Sequence, residues 1–136
     1  DPAMCDAYAN DKDLHMELAK SIFKKDEKEI SKEERTIAKV INFLTSYGGG
    51  PSVLMENLEK AGIIITKSKA EKMLEGWDKK FSMAVSYLNK NVSFFMNHGY
   101  LQTPAGLKKH LYKNFPFNSI MEAKKRECRN YMAAKD

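Results

Sequence analysis

Apolar positions recur along this chain at intervals of three and four residues, the spacing that stacks side chains on one face of an α-helix. After Ser31, the residues Ile37, Val40, Ile41, Leu44 and Tyr47 keep that period until Gly48-Gly49-Gly50, where a left-handed stop costs little. A second stripe follows Ser68: Met73, Leu74, Trp77, Phe81, Ala84, Val85 and Leu88. It either continues through Val92 and Phe95 to Gly99 or breaks at Asn89-Lys90-Asn91. Three S-x-x-E patterns stand just before such stripes: Ser31 with Glu34, Ser68 with Glu71, and Ser119 with Glu122. Each reads as a capping box, with the serine oxygen accepting from a first-turn N–H while the glutamate reaches back to the serine N–H.

The remaining segments predict shorter helices. Asp13 is placed to cap one that carries Leu14, Leu18, Ile22 and Phe23. Pro51 and Ser52 open another, with Leu54, Leu58 and Ala61 on one face and Gly62-Ile63 as a Schellman stop. Thr103 before Pro104 predicts a helix carrying Leu107, Leu111 and Tyr112 that ends by Asn114 and Pro116, and Ser119 opens the last one. Ile63-Ile64-Ile65 is β-prone, but with no second strand-like run to pair with it reads as a buried extended connector. The expected fold is all-α: a compact bundle of about six short-to-medium helices with no sheet, one domain over residues 1–136. Met73, Trp77, Phe81, Leu88, Phe95 and Leu111 are its expected core, or the lining of a cavity in it. Residues 1–10 form an N-terminal segment, and Asp1–Met4 are compatible with a cloning remnant, so they are left out of the expected fold.

Composition agrees with a folded globule, at 43% apolar and 30% charged over 136 residues. No apolar run approaches the roughly 18–20 residues a membrane-spanning helix needs. Asp1–Met4 show neither the basic nor the apolar region of a signal peptide. Charge changes the picture more. Residues 1–68 carry ten basic and twelve acidic side chains, whereas residues 69–136 carry thirteen and six, so the net +5 belongs to the second half. Lys108, Lys109 and Lys113 are expected on one helix and Lys124, Lys125, Arg126 and Arg129 on the next, a candidate partner-binding basic surface. Ten of the fourteen aromatic residues share that half, yet lysines on helix surfaces ordinarily serve solubility and spaced aromatics ordinarily serve the core. With only Arg35, Arg126 and Arg129 among 23 basic residues, and no helix-turn-helix, zinc-finger or RRM signature, the pattern argues against sequence-specific nucleic-acid recognition.

Constellations for chemistry are absent from the sequence pattern. His15, His98 and His110 lie in different segments without metal-ligand spacing, and Gly48-Gly49-Gly50-Pro51 lacks the G-K-[ST] of a phosphate loop. No nucleophile motif surrounds Cys128, so no catalytic residue, metal or cofactor is assigned. Cys5 and Cys128 allow one disulfide that would tie the N-terminal segment to the last helix and point to an oxidising compartment; without it the cytoplasmic alternative leads. By elimination the expectation is a non-enzymatic, secreted helical interaction domain that binds a protein partner. The alternative is a carrier of a small hydrophobic ligand such as a lipid, with a cavity lined by methionine and aromatic side chains. A binder of anionic partners through the basic half ranks below both.

Overall fold

The structure, a computed structural model, describes residues 1–103 and 105–110. The chain divides into two compact units, Asp1–Ala84 and Val85–Asp136.

The first unit is built from helices α1 (Pro2–Ala9), α2 (Leu14–Phe23), α3 (Lys32–Ser46), α4 (Pro51–Lys60) and α5 (Lys67–Lys80), with one 3-10 turn at Glu27–Glu29. It also holds the start of α6 (Ser82–His98). Helix α2 packs on α3 and α5, α4 lies against α3 and α5, and α1 rests on α2. Their facing sides bury Leu18, Ile41, Leu54, Leu58 and Phe81 completely. At about 25 cal/mol per Å² of apolar surface removed from water, such side chains contribute on the order of 1.5–3 kcal/mol each.

Helix ends follow the sequence signals in part. Ser31 and Glu34 close a capping box, with Oγ accepting from the Glu34 N–H at 3.1 Å and the Glu34 carboxylate accepting from the Ser31 N–H at 2.9 Å. Asp13 caps α2 by accepting from the N–H groups of His15 and Met16. Gly62, at φ +78°, ends α4 in a Schellman arrangement: Ile63 N–H reaches the Leu58 carbonyl and Gly62 N–H the Glu59 carbonyl. Helix α5, by contrast, starts at Thr66, whose hydroxyl accepts from the Lys69 N–H, so Ser68 lies inside the helix and not at its cap. Ser119 and Glu122 lie outside the described residues.

Four expectations need correction. Asp1–Met4 belong to the fold, because Asp1 is the N-cap of α1 and Pro2 occupies its first turn. The long stripe after residue 68 breaks at Phe81, the C-cap of α5, and α6 then runs unbroken through Asn89-Lys90-Asn91. The second Asp1 carboxylate oxygen sits at that break, accepting from the N–H groups of Met83 and Ala84 at 3.1 and 3.3 Å. This carboxylate satisfies orphan donors of two helices at once. Ile63-Ile64-Ile65 is a connector, but only Ile65 is buried, while Ile64 is 88% exposed.

The fourth correction concerns the second unit, where the expectation of no sheet fails. Thr103 does not open a helix; it closes a turn. Its N–H donates to the Leu107 carbonyl, its hydroxyl accepts from the Leu107 N–H, and Gly106 takes φ +85°. Strands β1 (Tyr100–Gln102) and β2 (Lys108–His110) therefore pair antiparallel, Leu101 opposite Lys109. Val92, Phe95 and Leu101 form a small buried cluster with Met96 against it.

Candidate functional site

Helix α3 has two unlike faces. One buries Ile37, Ala38, Ile41, Asn42 and Leu44. The other carries Arg35, Lys39, Phe43 and Tyr47, four residues apart and all exposed, Phe43 by 58% and Tyr47 by 49%. Steps of four on a helix of 3.6 residues per turn make a slowly winding row, with two cations toward the N-terminus and two aromatic rings toward the C-terminus. Tyr47 is the C-cap, and Gly48 follows it at φ +70°.

Neighbouring residues hold the cationic end in place. Arg35 donates from Nε and Nη2 to one oxygen of Asp13, at 2.9 and 2.5 Å, while the other oxygen caps α2. Partial burial pushes the Asp13 carboxyl up, but the Arg35 guanidinium and the backbone N–H groups of Met16 and His15 outweigh it and hold it below the usual carboxylate range. The ring of His15 lies 6.0 Å from that of Phe43. Burial pushes the His15 imidazole below its ordinary value; Asp13 opposes this, while Arg35 and Lys39 reinforce it. His15 is accordingly uncharged at neutral pH. Its Nδ1 is 2.9 Å from the Asn42 amide nitrogen, and the Asn42 oxygen accepts from the Trp77 indole N–H at 2.8 Å.

The second unit shows an aromatic ladder instead. Phe94 and His98 stack at 4.1 Å, Tyr100 stands edge-on to both, and His110 lies 5.4 Å from Tyr100. The Lys108 ammonium sits 4.8 Å over the Tyr100 ring.

Residues singled out from sequence are distributed as follows. Met73, Trp77 and Phe81 are buried in the first unit and Phe95 in the second, Leu88 is half-buried, and Leu111 lies outside the described residues. Lys108 and Lys109 are exposed on strand β2, not on a helix; Lys113, Lys124, Lys125, Arg126 and Arg129 lie outside the described residues. Cys5 is an exposed free thiol on α1, and Cys128 lies outside the described residues. The α3 row escaped the sequence reading, which placed Tyr47 on the buried face and left Phe43 unused. Its signal was present as R-x-x-x-K-x-x-x-F-x-x-x-Y, offset by one position from the apolar stripe. Among the described residues no group of three or more His, Cys, Asp or Glu side chains is arranged to hold a metal ion.

The fold resembles the POL domain of Pol1 from M. smegmatis, solved in complex with DNA primer-template and dNTP, with a TM-score of 0.76 at 23% identity over 94% of this chain and 22% of that one. The profile of DNA polymerase family A matches residues 1–133, and the chain belongs to that family. It is 36% identical over 89 residues to DNA polymerase I of Helicobacter pylori, covering 65% of this chain and 9% of the relative. It is 30% identical over 122 residues to DNA polymerase I of Borreliella burgdorferi, covering 90% and 13%. To that of Aquifex aeolicus it is 39% identical over 82 residues, covering 60% and 14%. The chain thus spans 9–14% of the length of these relatives.

Family membership overturns the functional expectation. Membership of DNA polymerase family A stands against a secreted, non-enzymatic domain for a protein partner, against its lipid-carrier alternative, and against the argument that nucleic acid is not the partner. The secreted localisation and its disulfide fall with that reading. Among the described residues, no helix is long and apolar enough to cross a membrane.

Proposed function

We propose that this chain is the part of a DNA polymerase that receives the incoming deoxynucleoside triphosphate, and that the α3 row is where it docks. The observation that carries this reading is the order of chemistry along one exposed helix face: Arg35 and Lys39, then Phe43 and Tyr47. Guanidinium and ammonium groups suit a triphosphate, and an exposed ring suits the flat base and sugar beside it. Phe43 is 58% exposed on that face and so is open to a partner. The M. smegmatis neighbour was solved with primer-template and dNTP, which supports the same assignment. The DNA partner would meet the basic second unit, where residues 85–136 carry nine basic and three acidic side chains and Lys108 and Lys109 stand exposed on β2.

Steady-state incorporation by the full-length chain tests the reading. Lys39→Ala is expected to raise the KM for dNTP by about tenfold or more, the loss of one charge-assisted contact, with circular dichroism unchanged. Phe43→Ala is expected to act in the same direction. Unchanged KM in both variants would overturn the assignment. For the DNA contact, removing Lys108 and Lys109 together should lower the slope of log affinity against log salt by about 2.

A further inference from the structure

From Val85 to Met121 the chain has no acidic side chain, while it holds four lysines and two of the three histidines. No acid within the run neutralises that charge, which suits a polyanion. The same unit exposes rings in an ordered set. Tyr87, Phe94 and His98 are exposed and fall seven and four residues apart on α6, which puts them on one face of the helix, whereas Val92 and Phe95 turn elsewhere and are buried. Phe94 and His98 are already stacked, with centroids 4.1 Å apart and planes within 14° of parallel. The Phe94 carbonyl can only accept, so the His98 Nδ1 that lies 2.9 Å from it donates, and this bond fixes the imidazole in the stack. Tyr100 lies 5.4 Å from Phe94 and 6.0 Å from His98, so it stands beside the pair and does not cover its outer end. The Lys108 ammonium, 4.8 Å over the Tyr100 ring, holds a cation next to these rings.

We propose that this ladder is a platform for unpaired DNA: a base of a single strand stacks on the outer face of the His98–Phe94 pair, and its phosphate meets Lys108. In a duplex each base face is covered by its neighbours, so exposed rings can take only bases that are unpaired. Tyr87 stands about 10 Å from Phe94 along the helix axis, within reach of a further base of the same strand. Phe94, His98 and Tyr100 already hold one another, so docking orders few side chains and more of the stacking energy is kept as affinity. This platform rests on the reading of the second unit as the part that meets DNA, and adds which form of DNA it takes and through which rings.

Fluorescence anisotropy of the full-length chain with three DNA probes tests this: a blunt duplex, the same duplex with a long single-stranded 5′ overhang of deoxyadenosines, and that overhang made of abasic sites. His98→Ala should weaken binding to the deoxyadenosine overhang by about tenfold and leave the blunt duplex and the abasic overhang unchanged. The wild type should itself bind the abasic overhang about tenfold more weakly than the deoxyadenosine one. His98→Phe keeps a flat ring and should bind like the wild type. Phe94→Leu keeps apolar bulk under the ladder but removes the flat ring; it should give the same loss and serves if His98→Ala fails to fold. Unchanged affinity for the deoxyadenosine overhang in both ring-deleting variants would overturn the platform. A loss of equal size on the blunt duplex would make duplex DNA the occupant, and one of equal size on the abasic overhang would leave phosphate contact alone; either overturns base stacking. If removing Lys108 and Lys109 leaves the salt slope unchanged on every probe, the reading of the second unit as DNA-facing has itself failed. A lowered slope with silent ring variants overturns the platform only.

Discussion

Neighbouring aromatic residues meet opposite fates in the two units. In the first, Trp77 and Phe81 are buried among α-helices, their rings 5.5 Å apart, and the indole N–H is satisfied by a buried amide. In the second, Phe95 is buried with Val92 and Leu101, but Phe94 joins His98, Tyr100 and His110 in a ladder on the surface. Helical spacing alone does not separate these cases. What separates them is whether another element lies across the face: α2, α3 and α5 surround one set, and a two-stranded hairpin supplies the neighbours of the other. An aromatic residue at helical spacing is thus core only where tertiary packing provides a lid.

Substitutions can break that comparison. The largest effect is expected from Trp77→Ala, about 3–5 kcal/mol in denaturant unfolding, since it leaves a cavity and strips the Asn42 oxygen of its donor. Phe95→Ala should fall in the same range of roughly 3–5 kcal/mol, while the adjacent Phe94→Ala should cost only about 0.5–1.5 kcal/mol, the stacking with His98. Equal costs at 94 and 95 would show that the ladder is packed as a core. Between these extremes lies Ser31→Ala, expected to cost about 1 kcal/mol because it opens the capping box of α3.

Asp13→Asn is expected to have the smallest effect. Asparagine still caps α2, so only the charge pairing with Arg35 is lost, and with the two side chains 38% and 46% exposed, solvent reduces it to about 0.5 kcal/mol or less. Asp13 has a lowered pKa in the folded chain, so its ionised form stabilises above the ordinary carboxylate value near 3.9 and loses that contribution as pH falls through the lowered value. The difference between wild type and variant, followed by urea unfolding at a series of pH values, should therefore be constant near neutrality and close on acidification. A difference that grows toward low pH would reverse the assigned sign.

The helix signals that held were those decided within one turn of backbone. Ser31 with Glu34, Asp13, Pro51 and Gly62 act on N–H and carbonyl groups a few residues away, so their outcome does not depend on what packs nearby. Ser68 lost its cap to Thr66, because two hydroxyls within one turn compete and only one position leaves the preceding backbone extended. The α3 row was legible as R-x-x-x-K-x-x-x-F-x-x-x-Y, but its meaning was not. Phe43 sits between Asn42 and Leu44, and Tyr47 three residues after Leu44, and which of these faces α2 and α5 depends on where those helices lie.

Sequence by itself determined the helical character of the first unit, the ends of α2, α3 and α4, and the cluster of positive charge after residue 68. Those properties are local or additive: caps, period and charge counts need no partner. Tertiary structure decided the break at Phe81, where Asp1 from the far end of the unit supplies the cap of α6, and the hairpin at Thr103. It also decided that Asn42 is buried between Trp77 and His15 while Phe43 beside it faces solvent. Each of these brings together residues distant in sequence, and contacts of that kind exist only once the chain has folded.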